Sequence, residues 1–272
     1  MHKQGCTLLI STYNWPQALQ ICLLSVLQQT VMPNEIVIAD DGSTNDTKAL
    51  IDEYRTKTTI PIKHIWHKDE GFRKTIILNE AIRNSTQPYI IQIDGDIIIH
   101  PKFIQEHLLY AQQGFFIRGS RILLDEKNTQ NYITKQKTNL HFLSSGVQHR
   151  FNAVHSTILS KIVFAFSDKQ NPNNVIGCNM SFFKKDFIAV NGYNNDITGW
   201  GREDGELAAR FINSGILKKQ VKNKAIAFHM FHGHFSRDRD EINMQILKQA
   251  IASKIKTCTN GYSTTHDVLV YS

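Results

Sequence analysis

Over its first hundred residues the chain alternates short apolar runs with segments of helical spacing. Residues 7–11 form a β-type run that ends in the polar turn Thr12-Tyr13-Asn14-Trp15-Pro16. Across residues 16–29, Leu19, Cys22, Leu23, Val26 and Leu27 share one helical face, with proline in the first turn, where a missing N–H is tolerated. Residues 35–39 predict a second strand ending in Asp40-Asp41-Gly42-Ser43, and Ser43 or Thr44 is placed to cap a helix over residues 47–57. A third strand is expected at 60–66. Gly71-Phe72-Arg73-Lys74 then opens a helix over 75–84, and 89–93 form the fourth strand. This alternation predicts βαβ units with right-handed crossovers on a parallel sheet. Ligands bind beyond the carboxyl ends of such strands, where the polar clusters 12–14, 40–43 and 94–96 all fall.

After His100 the pattern loosens. A helix is expected over 101–113, one strand over 114–124 and a polar loop over 125–139. A weak helical signal follows over 140–170, and then a strand over 175–183. A Gly-rich loop over 196–204 leads into a helix over 205–215, and residues 225–235 read as a strand carrying three histidines. A terminal helix over 240–256 and a weakly patterned tail complete the chain. Without repeats or a low-complexity linker, residues 1–272 read as a single α/β domain.

Composition narrows the function classes. Thirty-one basic against 24 acidic residues give a net charge of +7, which favours anionic partners, yet no run of consecutive Lys/Arg supports nucleic-acid binding. The four cysteines have neither metal-site spacing nor disulfide-framework density, so reduced thiols in the cytoplasm are expected. No stretch reaches the length of a membrane span, which leaves peripheral association, with the basic charge and the 240–256 helix as its basis.

The chemistry concentrates in four places. Asp94 and Asp96 flank Gly95 within the apolar run Tyr-Ile-Ile-Gln-Ile-Asp-Gly-Asp-Ile-Ile-Ile-His. Ionised carboxylates in such surroundings need a partner, and a hard divalent cation suits them. A hairpin turn is the bland alternative. Asp40 and Asp41 suit either a turn with a helix cap or recognition of a base or ribose. His229, His232 and His234 could complete a mixed Asp/His site of the kind that holds Mn²⁺. Gly199-Trp200-Gly201-Arg202-Glu203-Asp204 offers a flat apolar face beside two carboxylates at a helix start, either an acidic first turn or a sugar platform with a general base. Arg73 and Lys74 at a helix N-terminus suit phosphate.

Together these stretches resemble family 2 glycosyltransferases of the GT-A fold. The resemblance rests on Ile-Ser-Thr-Tyr-Asn ending at Asn14, Asp40-Asp-Gly-Ser, Gly71-Phe-Arg-Lys with Asn79, and the Asp94-Gly95-Asp96 element. The second half is similar to the galactosyltransferase-type region of chondroitin-polymerase-like enzymes, through Gly177-Cys-Asn-Met-Ser-Phe, Asn191-Gly-Tyr, residues 199–204 and His229-x-x-His232. The resemblance implies a Rossmann-like GT-A domain with a mixed, mainly parallel sheet. Residues 1–100 would form the nucleotide-sugar half, 101–240 the acceptor and catalytic half, and 241–272 a terminal helix and tail. It implies inverting transfer from a UDP-sugar to a saccharide or lipid-linked saccharide in bacterial surface glycan synthesis, with Mn²⁺ or Mg²⁺.

Carried over by position, Thr12, Tyr13, Asn14, Asp40, Asp41, Gly71, Arg73, Asp94, Gly95 and Asp96 would bind the nucleotide sugar. Asp96, His232, His229 and Asp94 would hold the metal. Trp200, Gly201, Glu203 and Asn179 would meet the acceptor, with Asp204 as base beside Glu203. The pattern often has glycine where Arg202 stands, and related galactosyltransferases have methionine at the place of His229. A sugar nucleotidyltransferase would also use paired carboxylates and metal, but residues 12–16 lack its Gly- and base-rich loop. A non-catalytic nucleotide-sugar-binding module is disfavoured by the acidic pair at 203–204.

Overall fold

The computed structural model describes residues 5–173, 175–233 and 236–272. Its first half is the expected alternation: β1 (Cys6–Thr12), α1 (Pro16–Val26), β2 (Glu35–Asp40), α2 (Asn45–Arg55), β3 (Ile62–Trp66), α3 (Lys74–Asn84) and β4 (Tyr89–Asp94). Then follow β5 (Ile97–Ile99), α4 (Phe103–Tyr110), β6 (Phe115–Arg118), β7 (Ser120–Leu123) and α5 (Glu126–Thr134). After a 3₁₀ turn at Arg150–Ala153 come α6 (Thr157–Ala165), β8 (Asn179–Phe183), α7 (Lys184–Ala189) and α8 (Glu203–Asn213). The chain closes with β9 (Leu217–Gln220), β10 (Ile226–His229), α9 (Asp240–Ala252) and β11 (Leu269–Tyr271).

Eight strands form one sheet in the order β11-β3-β2-β1-β4-β8-β6-β9. The β3-β2-β1-β4 block is parallel, β8 is antiparallel to both β4 and β6, and β11 adds an antiparallel edge to β3. The sheet is therefore mixed, with its β3-β2-β1-β4 half parallel. Alternate residues of the parallel strands face opposite layers. Leu8, Ile10, Ile36, Ile38, Ile91 and Ile93 pack with α1, while Leu9, Val37, Ala39 and Ile90 pack with α3. Burial on both faces explains why these strands read as continuous apolar runs.

The second half departs from the sequence reading in instructive ways. The single strand expected over 114–124 is two strands in different sheets. β6 ends in the large sheet at Arg118, whereas β7 joins β10 and β5 in a small three-stranded sheet. The switch falls on Gly119, where a Cβ would lie 2.2 Å from the Asn179 side chain. The expected loop over 125–139 contains α5, because Asp125 caps it by accepting the Asn128 N–H at 2.8 Å and Tyr132 anchors it in the core. The strand expected over 225–235 stops at His229, so His232 lies on the following loop; His234 falls outside the described residues. The tail supplies β11.

Among the described residues no helix is long and apolar enough to cross a membrane. Helix α9 is packed on α8 through Leu247 and Ala250. Its Ile242 and Ile251 are exposed, and α6 turns Ser160 inward and Ile158, Ile162 and the adjacent Phe166 outward.

Helix α8 is fixed from within. Arg210 is fully buried and donates to both carboxylate oxygens of Glu206, at 2.8 and 2.6 Å, and to the Val190 carbonyl at 2.6 Å. Removing one partner of a buried pair strands the other charge. Glu206→Ala should therefore lower unfolding stability by about 3–5 kcal/mol. A chemical-denaturation midpoint equal to that of the parent would show that Glu206 is not the group that balances Arg210.

Candidate active site

Strand register brings the polar clusters together. Thr12 stands opposite Asp40, and Ser11 opposite Asp94, at the carboxyl ends of β1, β2 and β4. A cavity of about 840 Å³ opens there. Thr12, Tyr13, Asp41, Asp94, Gly95 and Asp96 line one side, while Trp200, Gly201, Glu203, Asp204, His229 and His232 line the other. The small sheet supplies His229, and the start of α8 supplies the acidic pair.

Five of the residues expected at the site stand apart from the cavity lining, each for a visible reason. Asp40 is buried and occupied, accepting the Ser43 N–H and bonding His64 Nε2, both at 2.8 Å. Asn14 caps α2 across the turn: its Oδ1 accepts the Thr44 N–H at 2.9 Å, while its own N–H donates to Ser43 Oγ. Gly71 shapes the turn before α3 with a φ of +86°. Arg73 turns to Glu70 at 2.8 Å and to the Lys68 carbonyl at 2.7 Å. Asn179 is fully buried; its amide donates to the Ser120 and Ala225 carbonyls and its oxygen bonds His107, so nothing is left for an acceptor sugar.

The basic residue that does enter the cavity is Lys74. Its ammonium is 2.8 Å from Asp94 Oδ1, which also accepts from Ser11 Oγ at 2.6 Å. Lys74 also lies 4.0 Å from Glu203. Burial opposes both charges. The ammonium nevertheless holds the Asp94 carboxyl below its usual range, and Asp94, Glu203 and Asp204 keep Lys74 protonated. The nearest charge partner of Asp94 is therefore a lysine.

Asp96 has different company. Its Oδ2 is 3.6 Å from His229 Nε2 and from His232 Nε2, too far for hydrogen bonds, and its Oδ1 is buried with no partner among the described residues. Both imidazoles face the carbonyl acceptors of Met230 and Gly233 with Nδ1, at 2.9 and 2.7 Å, so a neutral ring carries its proton there and turns the Nε2 lone pair toward Asp96. Ligand atoms of the three side chains lie within 4.8 Å of one another. Burial, then the negative charge of Asp94, pushes the Asp96 carboxyl upward. One oxygen and two nitrogens around an orphaned buried atom fit a divalent cation of the Mn²⁺ type. Cys178 adjoins Asp94 and His229, but burial drives its thiol well above its ordinary value and keeps it protonated.

The acidic pair is positioned with equal care. Asp204 Oδ2 accepts the Gly177 N–H at 2.6 Å, and Oδ1 accepts the Tyr193 hydroxyl at 3.3 Å. Tyr193 is held by Gln92 in β4 and, through its backbone, by Asn79 in α3. Burial pushes Asp204 up, with Lys74 opposing; burial and then Asp204 push Glu203 up to about 7. Arg202 precedes the pair at a φ of +79°, a conformation that favours glycine, and its guanidinium grips Asp240 of α9 at 2.7 and 3.0 Å. Asn243 of α9 donates to the Thr198 and Gly201 carbonyls, so α9 holds the Trp200 loop.

A Cβ on Gly177 would lie 2.3 Å from Asp204 Oδ1. Gly177→Ala should therefore displace this carboxylate and cost about 100-fold in turnover, the scale of a small misplacement. Unaltered steady-state kinetics would show that the exact position of Asp204 is unimportant.

The fold and site together describe a transferase of the GT-A kind. The chain belongs to glycosyl transferase family 2, whose pattern matches residues 7–190; residues 159–234 match the N-terminal domain of galactosyltransferase. It is 24% identical to a chondroitin synthase of Escherichia coli over 266 residues, covering 91% of this chain and 38% of that protein. It is 24% identical to a hyaluronan synthase of Pasteurella multocida over 247 residues, covering 83% of this chain and 24% of that one. The chain thus spans well under half the length of these relatives. A mannosyltransferase of Pyrobaculum calidifontis solved with GDP-Man and Mn²⁺ superposes with a TM-score of 0.63 at 14% identity, over 96% of this chain and 66% of that one. TarS 1-349 of S. aureus, solved with UDP, gives 0.62 at 13%, over 96% and 68%. These likenesses establish the GT-A fold, and the family makes the chain a glycosyltransferase.

Proposed function

We propose that this glycosyltransferase moves a hexose or N-acetylhexosamine from a UDP-sugar to a saccharide hydroxyl with inversion, using a divalent cation, in assembly of a bacterial surface glycan. One observation carries the reading: the Asp96/His229/His232 triplet and the half-buried Asp204 carboxylate line the same cavity. Thr12, Tyr13 and Asp41 would receive the nucleotide, and Trp200 and Gly201 the acceptor. Lys74 would lie against the diphosphate side with Asp94. Asp96, His229 and His232 would hold the cation, which when bound offsets charge on the leaving diphosphate. Asp204 would take the acceptor hydroxyl proton as that oxygen attacks the anomeric carbon from the face opposite UDP, and a single displacement inverts configuration. Glu203, beside it, would orient the acceptor.

The whole chain acts as one GT-A unit in this reading, and its four buried free cysteines suit a reducing cytoplasm. The test is UDP release from a panel of UDP-hexoses and UDP-N-acetylhexosamines with Mn²⁺. At least one donor should be hydrolysed or transferred. Silence across the panel, with pyrophosphate released from nucleoside triphosphate and sugar phosphate instead, would replace this reading with nucleotidyl transfer.

A further inference from the structure

Helix α6 inverts the usual amphipathic arrangement. Of its residues Thr157–Ala165 only Ser160 is buried, while Ile158 is 73% exposed and Leu159 and Ile162 are exposed beside it. A surface helix ordinarily turns its apolar side to the core and its polar side to water. Phe166, just past the helix end, and Phe151, on the preceding 3₁₀ turn, are 88% and 87% exposed. Asn223 ties that turn to α6. Its side-chain amide donates to the Phe151 and Val154 carbonyls at 2.7 and 3.0 Å, and its carbonyl accepts the N–H of Ser156, which caps α6. Arg150 in turn donates to the carbonyl of Phe142, which is exposed together with Leu143. Apolar side chains gathered in this way, rather than scattered singly, mark a surface that something covers.

The charge on this part of the chain says what covers it. From Lys127 through Ser167 there are five basic residues and no acid, although the chain holds 24 acids in 272 residues. All five, Lys127, Lys135, Lys137, Arg150 and Lys161, are exposed, and Arg150 and Lys161 stand among the apolar side chains themselves. The first acid, Asp168, comes only after Phe166. Apolar side chains interleaved with cations alone match a bilayer surface, where hydrocarbon lies beneath anionic headgroups. The patch also flanks the main cavity, because Gln148 before it and Pro172 and Asn173 after it line that cavity. We propose that α6 and the 142–151 segment dock this chain on an anionic membrane surface, with Phe151, Ile158, Ile162 and Phe166 at the acyl boundary and Arg150 and Lys161 at headgroup level. The docking stands on its own residues; that it turns the cavity toward a lipid-linked acceptor rests on the transferase reading.

Flotation of the full chain with lipid vesicles tests this. Vesicles of phosphatidylglycerol and phosphatidylcholine in equal parts should bind about tenfold or more tightly than pure phosphatidylcholine, with binding falling as NaCl is raised. Phe151→Ser combined with Phe166→Ser should weaken that binding about tenfold or more. Lys161→Glu should weaken it about tenfold, and Lys161→Arg should retain it. An unfolding midpoint equal to that of the parent reports an intact fold in each variant. Equal binding to both vesicles, binding to neither, or binding untouched in the Phe151→Ser/Phe166→Ser variant overturns the proposal. So does a dimer in vesicle-free buffer that the same two substitutions dissolve, because the occupant is then a second copy of the chain. UDP release from donors is read separately without vesicles. Vesicle binding without turnover removes the transferase reading and leaves the docking surface, and turnover without vesicle binding does the reverse.

Discussion

Asp204→Asn should lose about 10²–10⁴-fold in kcat, the range of general-base catalysis, while UDP binds as in the parent. The substitution keeps shape and removes only basicity. The new carboxamide can turn its oxygen to the Gly177 N–H and its amino group to Tyr193, whose hydroxyl then accepts in place of donating. Retained UDP affinity with collapsed turnover is the expected signature, and unchanged turnover would take Asp204 out of the base role. The pair also sets the pH profile. A base works ionised, and burial raises Asp204 while Glu203 is raised to about 7. Turnover should therefore rise with pH and fade on acidification at a pH above the ordinary carboxylate range. The two groups are in mutual contact, so this limb belongs to the pair. Glu203→Gln removes one negative neighbour and should move it to lower pH.

Asp96→Ala should reduce activity by about three orders of magnitude or more, because metal ions contribute several kcal/mol of charge stabilisation in such transfers. Among the described residues Asp96 is the one carboxylate facing both imidazoles, and its Oδ1 has no partner there. The matching measurement is Mn²⁺ titration by calorimetry: the parent should bind and the variant should not. Asp94→Asn should retain more Mn²⁺ affinity, since Lys74 and Ser11 already share the Asp94 oxygen. Full activity of the parent in EDTA would remove the cation from the reaction.

The parallel half of the fold was legible because its signal is redundant. Strands buried on both faces are apolar throughout, and the intervening helices keep their own period. The second half was not, because its decisions are made by single contacts. Gly119 moves the chain between sheets through its closeness to Asn179, and Asp125 turns a polar stretch into α5 with one cap. The same distinction holds at the site. Paired acids in an apolar run stand out as charges needing partners, whereas the choice between Arg73 and Lys74 depends on which side of a helix start each faces. Asn14 and Asn179 looked like ligand groups, yet their amides serve the backbone. Tyr193, which steadies Asp204, left one trace: Gln92 is a lone amide in an apolar strand, and such a group needs a buried partner.

The change of sheet at Gly119 has a mechanical side. Asp96 lies between β4 of the large sheet and β5 of the small one, while His229 ends β10 of the small sheet. A cation held by both would act as a rivet across the seam between two sheets. Its affinity would then register how well the sheets are seated, and substitutions far away along that seam would show up as altered metal binding before they altered the fold.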